Sequence, residues 1–289
     1  MVQALPGSLV SPSPLSWGEG LFFCLTKFGP GKAHKSLCSN NLRAKKVLDP
    51  ASDMWIIPFM PTENQIRAVE EGHTLYPKGV KPLNDDPLKK GSNNHKLGFK
   101  ITVPTWKGKK IFSLTLEERA TCPRSCHHWT DCYGNNMPFA HRYEAGEDLE
   151  KTIELQLKHL LMWNKDGIVV RLHVLGDFYS YGYIAFWNSM LLKYPKLAIF
   201  GYTALDEGTQ EADYIMRLNE LFPNRCLLRF SCSKEYDDTP EDTPYAFYAA
   251  EEGFKGKSFT CPEQLGVVKS CANCGLCWSI TKTVKFLTH

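Results

Sequence analysis

A chain of 289 residues with 43% hydrophobic, 22% charged and 12% aromatic residues has the make-up of an ordinary globular protein, which excludes a fibre or a wholly disordered chain. Its length allows one large α/β domain or two smaller ones, either with a core of its own, so neither metal nor disulfides are needed merely to fold. The formal net charge is +3, but residues 1–110 carry 16 Lys and Arg against 8 Asp and Glu and the remainder 18 against 23, an asymmetry that suits either a basic flap approaching phosphate or a plain solvated surface.

Residues 1–41 are rich in Gly, Pro and Ser and have no sustained apolar period, so a disordered or loosely attached extension is expected there, or the product of an early start codon. No apolar run approaches the roughly 20 residues of a membrane helix, and the longest early one, residues 21–25, lacks a basic start and a small-residue cleavage site. A soluble, non-secreted, cytoplasmic protein without a membrane partner is expected; its oligomeric state is left open. Residues 42–90 read as an N-terminal helix and linker, with the helix over 61–72, where a Thr-Glu-Asn-Gln cap precedes Ile66 and Val69.

Residues 91–289 are expected to form a cysteine-rich α/β metal-binding domain. Strands are predicted over 99–103 and 110–116 around a Trp-Lys-Gly turn. A helix over 149–163 follows, then strand 168–175, helix 181–192, strand 197–203, helix 209–221 and strand 226–232. Strands separated by helices of that size imply a parallel sheet with right-handed crossovers, and continuous apolar runs such as "IVVRLHVL" and "LAIFGY" suit a sheet covered on its faces. A parallel α/β partial barrel is the economical fold, and an open doubly wound sheet the alternative.

Eleven cysteines in an unexported chain argue for metal or redox chemistry rather than a disulfide framework. Cys122, Cys126 and Cys132 are spaced C-x3-C-x5-C directly after a predicted strand, with His127 and His128 between them. Three thiolates on one loop at the carboxyl end of a parallel sheet can converge where active sites lie, and three ligands on a [4Fe–4S] cube leave one iron open. A zinc knob completed by a histidine, and unliganded thiols, are the alternatives. Cys261, Cys271, Cys274 and Cys277 are spaced C-x9-C-x2-C-x2-C. The tight triple matches the first three positions of the ferredoxin run and favours iron–sulfur, with structural zinc as the alternative. All seven converging on one cluster is a third arrangement. Cys24, Cys38, Cys226 and Cys232 receive no role.

Gly176 and Asp177 end the second parallel strand and face the same crevice. There Asp177 could hold a ligand's amino group and Gly176 permit close approach, or Asp177 could simply cap the next helix. His173 on the same strand is a candidate catalytic residue, weighed against a core histidine. Tyr133, Tyr179, Tyr202, Thr203, Arg229, Ser231, Trp129 and Trp278 sit at strand ends or beside cysteines, where they could stack a base, shield a cluster or pack the core.

The ordered motifs "GSNNHKLG", "TCPRSCHHWTDCYG", "RLHVLGDFYS", "FGYT", "CPEQ" with "CANCGLCW", and "VKFLTH" resemble the phage gene product eighty-eight domain family, over about residues 91–289. That resemblance implies a phage origin, hence the cytoplasm of an infected host, and a cysteine-bound metal centre. A more distant likeness is to radical S-adenosylmethionine enzymes, whose partial barrel carries three cluster cysteines after its first strand and a Gly-Gly-Glu-like motif after its second. Cys122, Cys126 and Cys132 would match the cysteines and Gly176 with Asp177 the second motif, although this loop has three more residues before Cys132 than the usual C-x3-C-x2-C. The expectation is an iron–sulfur enzyme with one or two [4Fe–4S] clusters and S-adenosylmethionine, acting on a nucleotide or nucleic acid. In it Asp177, Gly176 and Tyr133 bind the cofactor. The rival is a non-catalytic nucleic-acid-binding protein stabilised by zinc.

Overall fold

The computed structural model describes residues 62–83, 85–232, 244–249 and 258–287; the expectations for residues 1–41, and Cys24 and Cys38 with them, lie outside these. In chain order the elements are α1 (Glu63–Glu71), β1 (Val80–Lys81), β2 (Lys89–Lys90), β3 (Lys110–Ser113), β4 (Arg142–Tyr143), α2 (Glu147–Trp163), β5 (Ile168–Leu172), α3 (Tyr181–Lys193), β6 (Leu197–Thr203), α4 (Gln210–Leu221), β7 (Cys226–Cys232), β8 (Tyr245–Ala249), β9 (Ser258–Thr260), α5 (Cys271–Cys274), α6 (Leu276–Ser279) and β10 (Thr283–Leu287). The described residues from Glu63 onward belong to one unit. The helix and loop before Gly91 are therefore built into the cysteine-rich domain: β1 pairs with β4, and the Trp129 indole N–H donates to Val69 O at 3.0 Å.

Eight strands form one sheet in the order β2-β3-β5-β6-β7-β8-β10-β9, parallel throughout except for β2 against β3. From β3 to β8 the spatial order follows the chain. Right-handed crossovers in that order place every crossover helix on the same face, and the packing of α2, α3 and α4 bears this out. Leu149, Ile153 and Leu157 of α2, Trp187 and Leu191 of α3, and Ile215 and Leu218 of α4 share one core with Phe112, Val170, Ile199 and Leu228. A doubly wound sheet reverses its strand order and carries crossover helices on both faces; among the described residues α2, α3 and α4 all lie on one. The other face, formed by Ile111, Val169, Ala198 and Phe200, is covered by Leu97, Ile101, Ala272 and Trp278.

Local chemistry sets the helix starts. The Ser180 hydroxyl accepts from Tyr183 N–H at 3.1 Å and the Thr209 hydroxyl from Ala212 N–H at 3.2 Å, each satisfying an otherwise orphaned amide, while α2 begins with Glu147, Asp148 and Glu150 at its positive end. The strand expected over 99–103 is not a ladder strand. Its backbone meets β3 at a single bridge, Lys100 to Lys110, because Gly108 and Trp106, both at positive φ, fold the hairpin tip back so that Gly108 N–H donates to Ile101 O. Among the described residues no helix is long and apolar enough to cross a membrane.

Candidate metal centres

The first cysteine loop leaves the sheet at the carboxyl end of β3. Leu114 N–H donates to Arg171 O and Leu116 N–H to Leu175 O, so the chain goes on pairing with the segment that continues β5, now with two extra residues on the β5 side. It then turns on three charged residues that the sequence pattern does not single out. Glu118 and Arg142 form a wholly buried pair, with Nε donating to Oε2 at 2.6 Å and Nη2 to Oε1 at 3.0 Å. The Arg142 guanidinium also donates to the carbonyls of Met137, Ala140 and Gly134, and the Thr74 hydroxyl donates to Glu118 Oε1. Such a pair survives burial only with its remaining donors and lone pairs used, as here. Arg119, at φ 66°, lies in the left-handed region that a non-glycine residue seldom adopts. Its Nε donates to Trp129 O and its Nη2 to Asn135 Oδ1, which clips the cysteine loop across its width.

Within the loop, Cys126 N–H donates to Pro123 O, Trp129 N–H to Cys126 O, and Gly134 N–H to Cys132 Sγ at 3.4 Å. The three cysteines are half-buried. Burial pushes the Cys122 thiol well up, and the Asp177 carboxylate and the thiols of Cys132 and Cys126 push the same way. Burial takes Cys132 up to about 11 against the pull of Gly134 N–H, and it raises Cys126 too. Buried thiols of this kind are inert unless a bound cation favours the thiolate. His128 turns to Asp131, its Nδ1 3.3 Å from Oδ2, and that carboxylate raises its pKa. Tyr133 is 47% exposed on the rim.

Gly176 and Asp177 stand against this loop. Gly176 has φ +83°, and a Cβ there would fall 2.5 Å from Thr121 Oγ1 and 2.6 Å from Leu116 Cβ; the close approach that glycine permits is with the chain's own cysteine loop. The Thr121 hydroxyl accepts from Asp177 N–H at 3.1 Å. The Asp177 carboxylate is buried and accepts from Phe178 N–H at 2.7 Å and from Ala204 N–H at 2.6 Å, so it ties the ends of β5 and β6 together. Burial still outweighs these amides and pushes its pKa up to about 6. His173 is buried with its Nε2 3.1 Å from the Tyr183 hydroxyl, and burial alone drives it down to about 3, leaving a neutral ring among Phe178 and Tyr183.

The second set lies against the face opposite the crossover helices, with Cys271, Cys274 and Cys277 on the short helices α5 and α6 and Cys261 directly after β9. Cys271 N–H donates to Lys96 O, Ala272 N–H to Leu97 O and Cys261 N–H to Lys285 O, which joins three distant segments. Gly275 takes the left-handed φ of 73° between α5 and α6, and a Cβ there would strike Val103. Burial pushes Cys271 up to about 12, the Cys277 thiol adding to this while Arg171 and Lys96 act against it. Burial raises Cys277, and Arg229 and Tyr202 pull it back; Cys274 is raised by burial and by Cys261. Thus the thiols influence one another within two groups, the first at the rim and the second over the sheet. Among the described residues no three Cys, His, Asp or Glu side chains stand close enough to enclose a single metal ion.

Arg171 opens the segment "RLHVLGDFYS" but is given no role in the sequence reading, and its signal is that a lone arginine interrupts the apolar run of β5. Val170 and Leu172 on either side belong to the helix-side core, so alternation sends Arg171 to the cysteine side. Of the aromatic and polar groups expected at strand ends or beside cysteines, Arg229 Nε donates to Cys277 O at 3.1 Å, and Trp278 stacks on Trp106 at 5.4 Å. A family model described as Gene product 88 matches residues 81–280, whereas the likeness to radical S-adenosylmethionine enzymes finds no such match. No curated protein and no solved structure matches the chain.

Proposed function

The chain belongs to the Gene product 88 family of phage proteins, and from that premise we propose that it is an iron–sulfur enzyme in which Cys122, Cys126 and Cys132 hold a [4Fe–4S] cluster with one open iron, and whose substrate is a nucleotide or nucleic acid. The reading is supported by one placement above all: the three-cysteine loop follows the first parallel strand, β3, and is bonded through Thr121 to the turn after the second, β5. Sequential strand order with the crossover helices α2, α3 and α4 on one face is also how the wall of a partial barrel is built, and we read the sheet as such a wall.

The residues present suit a cluster in donor type, being three partly buried thiols that burial holds protonated until a metal takes the proton's place. When bound, such a cluster supplies an electron and an open iron for polar groups of adenosylmethionine or substrate. Asp177 acts here as a positioning residue, fixing the cysteine loop to the ends of β5 and β6. Tyr133 forms part of the exposed lip, and His173 remains a neutral core group.

The test is metal content with a visible spectrum on full-length chain purified without oxygen. About four to eight irons per chain and a broad band near about 400 nm are expected, with the iron share of the first loop lost on Cys126→Ala. One or two zincs in a colourless sample would overturn it. That result would favour a zinc-stabilised nucleic-acid-binding protein, for which one observation speaks: Phe139, 92% exposed, borders a cleft of about 560 Å³ with Lys78, Lys81 and His141, a stacking face beside cations. Binding of single-stranded nucleic acid that weakens steeply with salt would support that rival.

A further inference from the structure

The face that carries the second cysteine set holds an unbalanced charge. Arg229 is fully buried and its guanidinium donates to the carbonyls of Cys277, Tyr245, Lys282 and Ile280. Its hydrogen bonds are filled by neutral groups, so its positive charge is not cancelled. Arg171 is less satisfied still. Its Nε is buried without a hydrogen-bond partner, and its guanidinium lies 6.0 Å from the Tyr202 ring centre; Tyr202 is the register partner of Arg229 across β6 and β7. Lys96, the third cation nearby, is already paired with Glu263 at 3.3 Å. A second orphan donor lies beside the same cysteine segment: the buried Trp278 Nε1–H has no partner, and it lies 3.4 Å from where a Cβ on Gly275 would sit, in the turn between Cys274 and Cys277.

Two uncancelled cations and two orphaned N–H donors beside four cysteines are the complement of an anion that accepts hydrogen bonds. Sulfur ligands provide both properties. Four thiolates around a [4Fe–4S] core of charge 2+, which does not require the sulfurs to meet at a single ion, leave a net charge of 2−, which two arginines balance. A free carboxylate or phosphate would use Arg171 but would leave four partly or fully buried thiols unexplained.

We propose that Cys261, Cys271, Cys274 and Cys277 bind a closed, dianionic four-thiolate metal centre, with Arg171 and Arg229 as its counter-ions and the Arg171 and Trp278 N–H groups as donors to its sulfurs. The proposal rests on the reading that this set binds metal, and adds that the centre offers no open position to substrate. Any chemistry on a ligand is then confined to the three-cysteine loop, and the second centre serves the fold or carries electrons.

The test uses full-length chain, loaded and metal-stripped, with iron and zinc measured and a chromophoric chelator as competitor; the metal lost on Cys274→Ala defines the second centre. Arg171→Met should release that metal about 10- to 100-fold more readily, the usual cost of removing a partner beyond the ligands, while Arg171→Lys, which keeps the charge, stays within a few-fold of the parent. In the stripped chain the sign reverses, and Arg171→Met should melt at a higher temperature than the stripped parent because an unpaired, partly buried charge is gone. Unchanged metal retention in Arg171→Met, or a lower melting temperature or failure to fold in its stripped form, would overturn the counter-ion assignment. Loss of no metal at all in Cys274→Ala would instead overturn the underlying metal reading.

Discussion

The rim loop and the sheet-face set have the same ligand chemistry in opposite surroundings. Cys122 and Cys126 face a buried carboxylate, Asp177, while Arg119 acts against it on Cys126 and also lowers Cys132, and the loop is fastened from beneath by Arg119 and by the Glu118–Arg142 pair. Cys271 and Cys277 face Arg171 and Arg229, and their segment is fastened by backbone amides to the carbonyls of Lys96 and Leu97. On the proposed metal reading, the contrast teaches that cysteine spacing marks the ligands, while the charges packed around them set which kind of centre each set favours. A negative neighbour disfavours an electron-rich, fully thiolate-coordinated site. A pair of cations favours one.

The sharpest way to break the contrast is at the pair under the rim loop. Arg142→Ala leaves Glu118 buried and unpaired and should cost about 3–5 kcal/mol, read by urea unfolding; in loaded protein it should release the first loop's metal before the second's. Equal loss from both sets would mean that the two regions are not independently supported.

A pH series on the stripped chain probes the two groups at the end of β5. His173 is held near 3, whereas an unfolded histidine titrates near about 6.5. As pH falls below 6.5 the unfolded chain gains a proton that the fold refuses, so this group removes stability at up to about 1.4 kcal/mol per pH unit. Asp177 works the other way. Held near 6 against about 3.9 unfolded, it binds its proton first in the fold, so its burden on stability is full above 6 and is relieved as pH falls toward 4. The two oppose each other between about pH 4 and 6. Asp177→Asn should therefore lose stability more steeply on acidification than the parent, and His173→Phe should gain. Parallel slopes for parent and both variants would contradict the burial assigned to these groups.

Smaller effects sharpen the contrast further. Trp278→Phe keeps an aromatic ring against Trp106 and Phe200 but deletes the orphan donor, so it should cost little in stripped protein and weaken the second centre several-fold in chelator competition. Thr209→Ala removes the cap of α4, an element that carries no cysteine. It should cost about 1 kcal/mol with both metal contents unchanged, a control for general destabilisation.

The alternating segments from 149 to 232 are legible in the sequence because continuous apolar strands and amphipathic helices repeat at sizes that only a parallel crossover fold accommodates. Segment 99–103 has the composition of a strand, yet its partner is fixed by two positive-φ residues in the turn, which composition does not encode. Among the described residues no helix of the expected size flanks the short strands β8, β9 and β10, so no alternation announces them. In the candidate sites the cysteines are legible by spacing, and Gly176 by its place after a strand. Glu118, Arg142 and Arg171 are not, because each is an ordinary charge until the fold brings its partner across 24 residues or denies it one. Asp177 is marked by its place in the turn after β5; its backbone partners, Phe178 and Ala204, include one on another strand's end, which no local pattern reveals.

The order of strands also sets an order in time. During synthesis β5, β6, β7 and β8 can each join an edge that already exists, since each pairs with the sheet strand made before it. The last strand, β10, enters between β8 and β9, and β9 has no other partner among the described residues. Until it arrives, β9 and the Cys261 that follows it have nothing in the sheet to hold them. The rim loop can thus be in place while the sheet-face set is still unassembled, so a nascent chain would present its three-cysteine site for loading well before its four-cysteine site exists.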